Sequence, residues 1–162
     1  MTIYTDAAGD GCMAWVLRIG ALKLFAACRV PRWLQRWVVK RKVQIATWEL
    51  IAALCALWHV VEQLDWQGPQ LDIRIFIDSA VALGTLLRGS SRQKDWNLLT
   101  TGIWFETARR GMLLSAWRVP SRQNLADAPT RRKTKRCQMA QLFAEGFQEV
   151  HWSWPRAWLG LQ

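Results

Sequence analysis

The stretch LDIRIFIDSAVALGTLL, residues 71–87, changes its period half-way, and that change decides the fold. From Leu71 to Ile77 polar and apolar residues alternate and β-branched side chains are frequent, which predicts a buried strand ending at Asp78. Ser79 then stands where a helix N-cap belongs, so Ala80–Leu87 reads as a helix that stops before Gly89-Ser90-Ser91. A strand that passes directly into a helix implies a sheet covered by helices.

Upstream, Thr2–Ala7 (TIYTDA), Cys12–Ile19 and Leu22–Val30 carry strand-like patterns, with Gly9-Asp10-Gly11 as the first turn and Asp10 as a turn residue. Pro31 closes this meander, and the spacing of Trp33, Leu34, Trp37 and Val38 predicts a basic amphipathic helix over Arg32–Lys42. Ile45–Leu64 is dense in Ala and Leu and predicts a long helix, stopped by Gln67-Gly68-Pro69. Downstream, Asp95–Arg110 reads as a helix and Met112–Val119 as a last strand, with a short helix at Asp127. The expected class is therefore α/β, a mixed sheet flanked by helices.

A length of 162 residues suits one domain. No apolar run reaches the ~18 residues of a membrane span, and Asp6 and Asp10 interrupt any signal-peptide pattern, so no membrane association is expected. The four cysteines form no CxxC pair, which fits reduced thiols and an intracellular setting, cytoplasmic or nuclear. Twenty-two Lys and Arg against twelve Asp and Glu leave a charge of +10, concentrated in Arg29–Lys42 and Arg131–Arg136, which favours a polyanionic partner. Trp33, Trp37 and Trp48, interleaved with basic residues, are candidates to stack on bases.

Three acids stand at positions where chemistry is often placed: Asp6 in the first strand, Asp78 after a later one and Asp127 at a helix start. Glu49 lies in an almost uncharged run, and an acid on an inward face needs a partner such as a metal ion. Mg²⁺ prefers a few carboxylates together with substrate oxygens, and a pair ~4 Å apart supports phosphodiester hydrolysis without a nucleophilic side chain. The chain holds only two histidines and no recognisable Ser-His-Asp arrangement.

Taken in order, IYTDAAGDG (3–11), TWELIAAL (47–54), IFIDSAVAL (75–83) and WRVPSRQNLADAPTR (117–131) resemble the four acidic motifs of the ribonuclease H family, over residues 2–131. The last is most similar to ribonuclease H domains of reverse-transcriptase retroelements. The resemblance implies a five-stranded mixed sheet and endonucleolytic cleavage of the RNA strand of an RNA–DNA hybrid. Asp6, Glu49, Asp78 and Asp127 would hold two Mg²⁺ ions, with Mn²⁺ as a substitute. It divides the chain into a catalytic domain, 1–136, and a Trp-rich extension, 137–162, and allows a larger reverse transcriptase polyprotein as parent.

The chain departs from the family pattern in places. Arg122 stands in the loop where many members have a histidine, and is expected at the scissile phosphate as a fifth catalytic residue. Ile45 and Ala46 replace residues that are often Asn, so the grip on nucleic acid falls to Gln44, Thr47, Ser79, Arg122, Asn124, Arg41 and Lys42. The basic handle between the second and third helices is absent, since Gly89–Lys94 links those helices directly. Two other readings compete: a nuclease of the same fold acting on DNA, and a non-catalytic module that binds hybrid.

Overall fold

The computed structural model describes residues 1–42, 44–63 and 71–154. Strands β1 (Thr2–Ala7), β2 (Cys12–Ile19) and β3 (Leu22–Arg29) form the predicted antiparallel meander. Short helix α1 (Arg32–Trp37) and long helix α2 (Ile45–Trp58) follow, and then β4 (Asp72–Ile77) runs parallel to β1. Helices α3 (Ala80–Arg88) and α4 (Lys94–Arg109) lead to β5 (Leu113–Arg118), parallel to β4. The chain closes with a one-turn helix α5 (Asp127–Thr130), helix α6 (Arg136–Ala144) and β6 (Gln148–Glu149).

The order β5-β4-β1-β2-β3-β6 makes a six-stranded mixed sheet among the described residues, not the expected five. The sixth strand is two residues long, too short to show alternation, and pairs in parallel with β3 at Leu24↔Gln148 and Phe25↔Glu149. Val150 extends this contact by donating its N–H to the Phe25 carbonyl at 2.9 Å. Trp152 then enters the main core at 6 % exposure, beside Trp15 and Trp154. Residues 137–154, whose structure the sequence left open, thus pack on the same sheet as the rest.

Residues on alternate sides of the strands enter two cores. Ile3, Trp15, Leu17, Ile73, Ile75 and Ile77 pack with α2 on one face. Ala14, Val16 and Phe25 meet Ala126, just before α5, and Ala128, Met139 and Leu142 of the last helices on the other. Every residue of α2 from Ala46 to Leu57 is buried, which is why its sequence is apolar on all sides instead of striped. Burial on this scale stabilises by roughly 25 cal/mol per Å² of apolar surface.

Two predicted elements end early. The helix expected to reach Lys42 stops at Trp37, because Val38 turns to an extended conformation and the Val39 N–H is taken by the Asp95 carboxylate at 2.9 Å. The helix expected to reach Leu64 is α-helical to Trp58 and widens into a π-turn over His59–Gln63. Leu64 itself, the Gln67-Gly68-Pro69 stop and Trp158 lie outside the described residues. No described helix is long and apolar enough to cross a membrane.

Candidate metal centre

Parallel pairing brings the first two acids together. Register Thr5↔Ile77 sets the ends of β1 and β4 side by side, so the next residues, Asp6 and Asp78, are neighbours. This is the carboxyl end of parallel strands, where open α/β sheets commonly place their ligands. Glu49 arrives from above, one turn into α2. Each of the three offers a carboxylate oxygen within 4.8 Å of the other two.

The electrostatics of this group are unfavourable for bare carboxylates. Burial, the Asp78 charge, a hydrogen bond with Asp78 and the Asp6 charge together push Glu49 up to about 10, against a small opposing effect of the Ser79 N–H. Asp6 is raised to about 6, chiefly by burial and further by Asp78 and Asp127, while a hydrogen bond from Thr130 and the charge of Arg131 oppose the rise. Glu49 Oε2 accepts from the Ser79 N–H at 3.3 Å, whereas the fully buried Oε1 has no hydrogen-bond partner.

An unpartnered buried carboxylate oxygen costs free energy, and a cation among the three acids removes that cost together with their mutual repulsion. The donor set consists of oxygen atoms only, which suits a hard divalent ion such as Mg²⁺ or Mn²⁺. The residues present therefore fit a metal.

Asp127 stands outside this group. Its oxygens pair with Arg131 Nε at 3.1 Å and Lys135 Nζ at 3.2 Å, although its charge is still felt by Asp6. Asn124 fixes it in place: Nδ2 donates to the Thr5 carbonyl at 2.8 Å, and the Asn124 carbonyl accepts from the Asp127 N–H at 3.1 Å. Arg122 is exposed on a 3₁₀ turn, Ser121–Gln123, and shares a cavity of about 210 Å³ with Asp127 and Lys135. Thr130 is a residue that sequence reasoning missed. Its hydroxyl donates to Asp6 Oδ2, and the available clue was its place three residues after Asp127, on the same short helix.

The expected nucleic-acid contacts are distributed unevenly. Lys42 is exposed, but Arg41 grips Asp95 with two bonds of 2.5 and 2.7 Å and lies over the Trp96 ring at 4.5 Å. Burial alone would raise the Asp95 carboxyl; the bonds from Arg41 and the Val39 N–H outweigh it and hold the group below its ordinary value. Thr47 is buried, accepting from Trp96 Nε1 at 2.8 Å and donating to Gln44 Oε1 at 3.0 Å, while Gln44 Nε2 closes on the Val39 carbonyl. Ser79 caps α3, accepting from the Ala82 N–H at 3.2 Å. Asp10 behaves as a turn residue, accepting from the Cys12 N–H and pairing with Arg29. Trp33 packs edge-on against Trp154, and Trp48 is buried.

No family model, curated protein or solved structure compared with the chain matches it.

Proposed function

We propose that this chain is a metal-dependent endonuclease of the ribonuclease H type that hydrolyses the RNA strand of RNA–DNA hybrids. The observation that carries the reading is the convergence of Asp6, Glu49 and Asp78 at the ends of parallel β1 and β4, with Glu49 Oε1 buried and unpartnered. The first three of the four motifs that resemble the family supply these acids in order, and the charge of +10 favours a polyanion.

When bound, two divalent ions would supply a water of lowered pKa and stabilise the departing oxygen. Asp6, Glu49 and Asp78 would hold them, with Asp127 completing the set after release from Arg131 and Lys135. The chain's own residues do the rest. Ser79 N–H and Thr130 Oγ1 aim Glu49 and Asp6 into the group. Arg122, exposed beside Asp127, binds a phosphate oxygen of the substrate. Burial of Glu49 and Asp6 keeps bulk water away from two of the three acids.

The deciding experiment incubates the protein and Mg²⁺ with labelled RNA paired to DNA, RNA paired to RNA, duplex DNA and a four-way DNA junction. Cleavage of RNA only in the hybrid supports the reading. Cleavage of DNA substrates alone transfers it to a DNA nuclease, and binding of hybrid without cleavage transfers it to a hybrid-binding module.

A further inference from the structure

A second site opens beside the carboxylates. A cavity of about 610 Å³ lies between the β1–β2 turn, the end of β3 and the loop after α5. Its size falls within the roughly 300–1,000 Å³ typical of small-ligand sites. Thr130, whose hydroxyl is bonded to Asp6, also lines this cavity, so the two sites are one side chain apart.

The lining divides by chemistry. Arg29, Arg131, Arg132 and Lys133 bring four cations to the wall, against the single carboxylate of Asp10. Three of these cations are already oriented by ion pairs: Arg29 to Asp10, Arg131 to Asp127 and Arg132 to Glu149. The Arg29–Asp10 and Arg132–Glu149 pairs are exposed and worth little individually, so an incoming anion can replace them at small cost, whereas Arg131 is held by the buried Asp127. Ala8, Ala27, Cys12, Cys28 and Pro129 supply a small-residue, largely apolar part of the wall. Burial raises both thiols, Cys28 to about 12, so neither adds negative charge at neutral pH.

We propose that this cavity is a nucleotide-binding subsite, in which the apolar wall receives a base and the arginine and lysine side chains receive a phosphate monoester. The proposal rests on the nucleic-acid reading above for the class of ligand, though not on cleavage. The nucleotide has two sources with the same chemistry: the 5′-phosphorylated end of a strand, or a free nucleoside monophosphate.

Titration calorimetry on the full chain in EDTA, without divalent metal, keeps the carboxylate site out of the measurement. The probes are adenosine 5′-monophosphate, adenosine, inorganic phosphate, and one RNA oligomer with a 5′-phosphate or a 5′-hydroxyl. Adenosine monophosphate is expected to bind saturably, with adenosine and phosphate each about tenfold weaker or more, since each offers half of the contacts. Arg29→Glu with Lys133→Glu, both at exposed positions, should weaken it at least ~tenfold, and Arg92→Glu, on the distant α3–α4 loop, less than ~twofold. A preference of the oligomer for its 5′-phosphate identifies a strand end as the source; equal binding of the two identifies the free nucleotide. Absence of saturable monophosphate binding, equal binding of adenosine, or unchanged affinity in the double variant would overturn the subsite. Loss of hybrid cleavage activity in the wild type, measured separately, would count against the nuclease reading and leave these binding results standing.

Discussion

Two buried carboxylate sites flank the start of α2, and they are opposites. At Asp95 the acid is matched: Arg41 supplies two bonds, the Val39 N–H a third, and Trp96 lies against the guanidinium. At the ends of β1 and β4 three acids crowd together with few donors, and Glu49 Oε1 has none. The first arrangement is complete without a ligand and holds α4 to the segment before α2. The second leaves its acids without matching donors and has the oxygen set to hold a cation. The contrast shows why burial of an acid is by itself a poor sign of function; what matters is whether the fold also buries its counter-charge.

The largest effect that would break this contrast is catalytic. Asp78→Asn should reduce hybrid cleavage by about 10³-fold or more in single-turnover assays while the protein remains folded, because it removes a metal-holding oxygen. Turnover close to wild type would sink the metal assignment. Asp95→Ala should act on stability instead, costing about 3 kcal/mol in urea unfolding, since it leaves the half-buried Arg41 without its charge partner. An unchanged midpoint would show that Arg41 finds another acceptor and that the two sites differ less than their geometry indicates.

The pH dependence sharpens the comparison. Asp6 and Glu49 both have raised values, about 6 and about 10, against ordinary values of 3.8 and 4.5. A raised acid binds more protons folded than unfolded, so its stabilisation is complete below the ordinary value and is lost as pH rises through the folded one. Metal-free protein should therefore lose thermal stability as pH rises above about 4, most steeply up to about 6 where both acids contribute, and more slowly from there to about 10. Mg²⁺ should oppose this, raising Tm by roughly 3 °C or more at pH 8 and by less at pH 5. A Mg²⁺ effect independent of pH in differential scanning calorimetry would contradict proton release from these acids. Asp95 predicts the reverse trend, since its lowered group loses its stabilising contribution as pH falls. The smallest effect is expected at Arg122: Arg122→Ala should reduce cleavage about tenfold and leave Tm unchanged, because the side chain is exposed.

Much of the candidate site was legible from local pattern. Asp6 and Asp78 follow alternating strand runs, and Glu49 interrupts an apolar helix, so each could be placed before its partners were known. Asp127 was legible as a motif residue but not as an ion-paired one, although Arg131 at the i+4 position was a visible signal. Arg41 read as a free cation within a basic run. Its partner Asp95 lies 54 residues away, and no local pattern reports a pairing at that separation.

The amino-acid sequence by itself determined the strand meander, the strand-to-helix steps and the excess of positive charge, which follow from short-range periodicity, turn residues and composition acting within a few neighbours along the chain. The four acids Asp6, Glu49, Asp78 and Asp127 were named as a set by the motif resemblance, since any one of them alone reads as a surface charge. Only the tertiary structure decided the sixth strand, the early end of α1, the pairing of Arg41 with Asp95 and the separation of Asp127 from the acidic group. Each of these depends on which distant groups meet in a low-dielectric interior, where a charge or an N–H takes the nearest complementary partner that the packing supplies.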